Sequence, residues 1–152
     1  MRLLLLTFGF GVLSSSIPVF NMEAFLALVY SQTEQRGAFE LALVGSVGQN
    51  LGKLVWYYAS LGAIDLRFVR RRASSPKRQA QLERWRGQVE GRPVRSGLLN
   101  FVSAAIGFPP FFVMAVLAGM LRMNVVVFVV TGIAGRTLFF LALLLGVGLV
   151  VR

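Results

Sequence analysis

Three charged residues stand alone inside long apolar stretches, and they define the chemistry open to this chain. Glu23 lies in Pro18-Val-Phe-Asn-Met-Glu23-Ala-Phe-Leu, the one charge between residues 3 and 33. Lys53 is the one charge between Leu41 and Ile64, and Arg136 is flanked by 13 uncharged residues before it and 15 after. An ionised group deep in apolar surroundings costs several kcal/mol unless it is paired, so each is a functional candidate. Desolvation lets a carboxyl such as Glu23 titrate, while Lys53 and Arg136 can meet a carboxylate, backbone carbonyls or a lipid phosphate. The structural alternatives are an interfacial or helix-terminal Glu23, a loop-end Lys53 and an Arg136 held in a plain ion pair. Glu23 is the expected partner of Lys53.

Bond-making chemistry has little to work with. The chain has no Cys and no His. That excludes thiol nucleophiles, thiolate metal sites and histidine bases, and no Ser-His-Asp triad can be assembled. The acids in or beside the apolar parts are Glu23, Glu34, Glu40 and Asp65, which are not clustered. An enzyme is therefore not expected, nor a metal or other cofactor. Gln49, Asn50, Asn21 and Asn100 suit hydrogen bonds between helices, and Trp56, Tyr57 and Tyr58 suit packing or interfacial anchoring. Gly52-Lys53 ends a glycine-bearing run, but no strand precedes it and its first glycine is misplaced, so it is not a phosphate loop.

The surrounding segments are those of a membrane protein. Of 152 residues, 56% are hydrophobic and 14% charged, against about 25% charged in soluble domains; the mean hydropathy is +0.70. Disorder is excluded on composition, and the length allows one compact unit. Segments 41–64 and 123–151 reach the ~20 residues that cross a bilayer. Segments 3–32 and 96–121 are broken, the first at Ser14-Ser15-Ser16-Ile17-Pro18 and the second at Gly107-Phe108-Pro109-Pro110. Proline removes a backbone donor and clashes with the preceding turn, so each broken segment is expected to be a re-entrant helical hairpin sheltered by the spans. Four ordinary spans with proline kinks are the alternative. Arg2 followed by Leu3–Leu6 also resembles a signal peptide, but no A-x-A site follows and the apolar stretch continues. The segment is expected to be retained.

The net charge of +10 is unevenly spread. Ten of the sixteen basic residues fall in 67–95, which marks that linker as cytoplasmic and the protein as a multi-pass protein of the cell inner membrane. Residues 78–90 can form an amphipathic helix with Leu82, Trp85 and Val89 on one face; a solvated loop is the plainer reading, and nucleic acid is not expected. The order hairpin, span, linker, hairpin, span predicts an all-α integral membrane protein of two inverted hairpin-plus-span repeats, one unit over 1–152. Gly45, Gly48 and Gly52 share a face on which another backbone can approach closely.

Pro18-x4-Glu23, then Gly48-Gln49-x-Leu51-Gly52-Lys53-Leu54-x3-Tyr57, resembles the first half of the VTT-domain proteins. These form the DedA and SNARE-associated Golgi protein superfamily, of which the YqaA-like branch is most similar. Gly107-Phe-Pro109-Pro110, Ala118-Gly119-Met120-x-Arg122-Met123, Phe128 and Gly135-Arg136 resemble its second half. The resemblance covers nearly the whole chain except the linker. It implies facing re-entrant hairpins and movement of a lipid, phospholipid or polyprenyl phosphate, between leaflets, with anionic headgroups as partners and a homo-oligomer left open. Glu23 matches one of the acids of that family's first hairpin; its other acid, and the arginines beside its second hairpin, have no counterpart here. On this basis Glu23, Lys53, Arg136, Gln49 and Asn50 are the expected lipid or proton pathway, with Pro18, Pro109 and Pro110 at the hairpin breaks. The remaining readings are a proton-coupled small-molecule exporter and a non-transporting membrane scaffold.

Overall fold

A computed structural model describes residues 1–16, 21–32, 37–63, 91–107 and 111–150, together with 80, 84 and 87. The described residues form six helices and no strand: α1 (Arg2–Ser16), α2 (Met22–Gln32), α3 (Ala38–Ala63), α4 (Pro93–Ile106), α5 (Phe111–Met120) and α6 (Val125–Val150). The all-helical expectation holds. Pro18, Pro109, Pro110 and the amphipathic stretch within 78–90 lie outside the described residues, apart from the single positions 80, 84 and 87.

Local chemistry sets the helix ends. Asn21 caps α2, its Oδ1 accepting the Ala24 N–H at 3.1 Å, and Asn124 caps α6 by accepting from Val126 and Val127 at 2.9 and 3.3 Å, which satisfies amides that have no partner in the helix. Pro93 opens α4, where its missing donor costs nothing. Gly107 closes α4 in the left-handed region at φ 80°, its N–H on the Ser103 carbonyl. Hydroxyls inside α1 bond backward to their own helix, Ser14 to the Gly11 carbonyl and Ser15 to that of Val12.

The long helices α3 and α6 run antiparallel. Ser46 Oγ meets Thr137 Oγ1 at 2.6 Å, Gln49 meets Arg136, and the Tyr57 ring stacks on Phe128 at 5.5 Å. Helix α1 lies parallel to α3 and touching it. A methyl group on Gly48 would come within 2.5 Å of the Phe8 carbonyl oxygen, and Gly52 abuts Val12 and Ser15. Helix α4 lies along α6 in the same way: a methyl on Gly135 would come within 2.5 Å of the Phe101 carbonyl oxygen, and Gly97 faces Val127 and Thr131. Both short helices stop near the middle of their long neighbours, α1 where Trp56 Nε1 donates to the Ser15 carbonyl at 3.3 Å and α4 where Gly107 approaches Phe139. Helices α2 and α5 then lead back the way α1 and α4 came.

Two apolar clusters result, one toward each end of the α3–α6 pair. Met22, Leu26 and Tyr30 of α2 pack with Leu41, Ala42, Phe140 and Leu144. At the other end Ala115 and Ala118 of α5 pack with Tyr57, Ala104, Met123 and Phe128, and the Tyr57 hydroxyl donates to the Met123 carbonyl. Between these clusters the interior is polar, for Ser46, Gln49, Asn50, Lys53 and Arg136 are all buried. The outside is apolar on every helix: Leu5, Leu28, Val55, Leu98, Val113 and Leu145 are all exposed. This reverses the usual placing of apolar side chains in water.

Of the two expected spans, only α6 is both long and apolar enough to cross a membrane, over Val125–Leu149. Helix α3 has the length, 26 residues or about 39 Å. Its polar stripe, turned inward, lowers its apolarity. It begins at Ala38, three residues before the span expected at 41–64.

Candidate functional site

Arg136 is the centre of the site, held from three helices. It lies mid-way along α6, and its own helix flanks it with Phe139 and Phe140, three and four residues on, whose ring centroids are 4.9 and 5.1 Å from the guanidinium carbon. Those spacings put both rings on the same helix face as the arginine, and a ring face attracts a guanidinium. From α3, Gln49 Oε1 accepts the Arg136 Nε–H at 3.0 Å. From α2, Glu23 Oε1 accepts from Nη2 at 3.2 Å. Gly48 and Gly135 let α1 and α4 lie close against the two long helices. Each glycine immediately precedes a site residue, Gln49 or Arg136.

Glu23 sits in the first turn of α2. A carboxylate there is favoured by the helix dipole and by the Asn21 cap that starts the helix. Its side chain is 31% exposed, against 10% for that of Arg136. The pair therefore opens to the surroundings on the Glu23 side. Lys53 is buried in the body of α3, which excludes the loop-end reading, and it lies within electrostatic reach of both Arg136 and Glu23. The partner of Glu23 expected from the sequence was Lys53; the hydrogen bond and ion pair the carboxylate makes to Arg136 come from the other long helix. Lys53 nonetheless belongs to the same cluster. Ser46, Asn50, Lys53 and Tyr57 recur at intervals of four, three and four, one stripe along α3.

Asn50 is fully buried, its Nδ2 donating to the Ser46 carbonyl at 2.9 Å. Asn100 is equally buried but elsewhere: its Nδ2 bonds the Phe128 carbonyl and Thr131 Oγ1, both at 2.9 Å, and ties α4 to α6. Asn21 is a cap and Trp56 an anchor for the end of α1. The Ser46–Thr137 contact escaped the sequence reading. Isolated hydroxyls carry no sequence signal, though Ser46 does lie four residues before Asn50 on the same stripe.

The site thus holds two cations, one carboxylate and neutral amides and hydroxyls. Among the described residues no group of His, Cys, Asp or Glu is placed to hold a metal. The guanidinium and ammonium offer donors that can hold an anion through charge-assisted hydrogen bonds. Comparison with protein-family models, curated proteins and solved structures found no match to this chain.

Proposed function

We propose that the chain is a multi-pass integral membrane protein that moves a lipid between bilayer leaflets, with the cluster of Glu23, Lys53 and Arg136 receiving an anionic headgroup. The observation that carries this reading is the pairing of a buried charged cluster with an apolar exterior. A chain in water gains by burying Leu and Val and exposing Lys and Arg; this one exposes large apolar side chains on every helix and buries Lys53 and Arg136. In lipid, intramembrane ionisable residues face the interior and mark a pathway. Broken helices whose ends lie near mid-depth need shelter or a wet cavity, and both breaks adjoin the long pair α3 and α6.

On this reading the two halves are inverted copies. Helices α1, α2 and α3 correspond to α4, α5 and α6, and the shift that lays Gly48 on Gly135 also lays Gln49 on Arg136. The basic linker faces the cytoplasm of a cell inner membrane, so the first hairpin enters from outside and the second from inside. The headgroup phosphate takes the place of Glu23 on Arg136, Lys53 adds a second cation, and the acyl chains stay in the bilayer. Glu23 closes on Arg136 again when the lipid leaves. The resemblance to VTT-domain proteins points the same way.

The test is transport by the purified protein in liposomes, using labelled phospholipid and polyprenyl phosphate side by side, with and without a pH gradient. Movement of lipid that falls in Glu23→Gln, Lys53→Ala and Arg136→Ala variants is the expected result. Movement of neither lipid by folded protein refutes the proposal, and wild-type rates in all three variants refute the site.

A further inference from the structure

The Asn50 side chain, on the α3 stripe between Ser46 and Lys53, holds an unanswered hydrogen-bond acceptor. It is 0% exposed, and its Oδ1 has no hydrogen-bond partner. Buried polar atoms are overwhelmingly satisfied, so an orphan needs an explanation. Turning the amide round does not supply one. That would set Oδ1 against the Ser46 carbonyl oxygen, which now accepts from Nδ2 at 2.9 Å, two acceptors facing each other. Along α3, Asn50 lies between the Ser46–Thr137 contact and Lys53, and next in sequence to Gln49, which holds Arg136. The other orphan, Asn100 Oδ1, belongs to a residue that ties α4 to the Phe128 end of α6, beside an apolar cluster.

The charge of the cluster supplies a second criterion. Displaced from Arg136, Glu23 stays in the first turn of α2 at the part-exposed edge of the cluster, so Lys53 and Arg136 against Glu23 still leave one net positive charge. A phosphodiester carries one negative charge and balances it. A phosphomonoester carries about −1.5 to −2 at pH 7 and overshoots. We infer that Asn50 is a specificity-determining residue, and that the site selects a monoanionic phosphodiester bearing a hydroxyl donor, the chemistry of a glycerol headgroup, over a phosphomonoester or a donorless diester. The phosphate meets Arg136 and Lys53, and the hydroxyl donates to Asn50 Oδ1. This rests on the anion-binding site proposed above and specifies its ligand.

The test compares lipids of equal charge and identical acyl chains. Phosphatidylglycerol and phosphatidylethanol are both monoanionic diesters, and only the first has free hydroxyls; phosphatidic acid is the monoester control. Binding to the purified full-length protein in detergent is read by native mass spectrometry and by thermal stabilisation. The wild type should bind phosphatidylglycerol about five-fold more tightly than phosphatidylethanol, the effect of one added hydrogen bond, and phosphatidic acid less tightly than phosphatidylglycerol. Asn50→Leu, which keeps the branching but has no acceptor, should bring the diester ratio to about one. A wild-type ratio near one overturns the inference, whether or not the variant folds. So does an Asn50→Leu variant that keeps the ratio, or that loses both lipids equally. Water-soluble glycerophosphoglycerol, added as competitor, separates the sources: displacement at matching concentration assigns a free diester, and its failure assigns a lipid. Because binding is read without transport, a preference for phosphatidylglycerol in protein that moves no lipid sinks the transport proposal alone, and transport without preference sinks this inference alone.

Discussion

Removing the acid of the cluster should cost more than removing the central base. Glu23→Gln keeps the shape and an acceptor oxygen for Arg136 but deletes the negative charge, so Lys53 and Arg136 are left as two cations in a buried setting. Deleting one partner of a fully buried pair costs about 3–5 kcal/mol. The Glu23 side chain is 31% exposed, and exposed pairs are worth far less, so the expected cost is about 2 kcal/mol. Arg136→Met leaves a carboxylate that is part-exposed and still faces Lys53, with a thioether against Phe139 and Phe140. The expected cost there is about 1 kcal/mol, mostly the lost donor to Gln49. Thermal unfolding in detergent, followed by near-ultraviolet circular dichroism, reads both. At about 2–4 °C per kcal/mol for a chain of this size, Glu23→Gln should lower Tm by about 4–8 °C and Arg136→Met by about half as much. Adding Lys53→Met to Glu23→Gln should recover at least half of the loss, because it removes the surplus cation. If Arg136→Met is the more damaging, or if Lys53→Met deepens the loss, the charge reasoning is refuted.

Two further outcomes follow from packing and backbone geometry. Gly48→Ala and Gly135→Ala each place a methyl 2.5 Å from a backbone oxygen of the neighbouring helix, which cannot rotate aside; each should cost about 1–3 kcal/mol, whereas Gly146→Ala, with nothing within 4 Å, should leave Tm unchanged or raised. Arg122 is exposed and holds φ at 53° in the turn that closes α5; Arg122→Gly should stabilise by about 1 kcal/mol, seen as a Tm higher by about 2–4 °C.

The helices were legible because composition and proline dictate them. Charge gaps bounded α3 and α6 to within three residues, and the breaks after Ser16 and Gly107 lie beside Pro18 and Pro109. The burial of Lys53 and Arg136 and the part-burial of Glu23 were also legible, since an isolated charge in an apolar stretch has nowhere else to go. The pairing was not. Glu23 reaches Arg136 rather than being tied to Lys53 alone because α2 packs across onto the far half of α6, beside Phe140 and Leu144, and nothing in one strand of sequence reports which helices touch. The partner role of Gln49 was hidden likewise, since an amide suits many sites. One signal was present and unused. Gly48-Gln-Asn-Leu51-x-x-Leu54 and Gly135-Arg-Thr-Leu138-x-x-Leu141 align, and under the proposed repeat that alignment would put Gln49 and Arg136 in equivalent places.

That equivalence bears on why the site is charged as it is. When two antiparallel copies pack together, residues near the axis between them meet their own counterparts. Gln49 and Arg136 touch, so, taken as counterparts, they lie at that axis. Arginine in both places would set two guanidinium groups against each other where water does not screen them. Glutamine in both would leave only Lys53 to attract an anion. One of each gives a hydrogen bond across the axis and leaves a guanidinium with donors to offer. The acid is also one-sided. Glu23 opens α2, while α5 opens on Phe111 with no acid in its first turn. Under the proposed repeat, two matching frameworks would thus hold an unmatched set of charges, with the carboxylate on the first half alone. On the proposed reading, an anion exchanging with Glu23 would then meet different resistance from the two sides, and a nearly symmetric scaffold would carry a directional site.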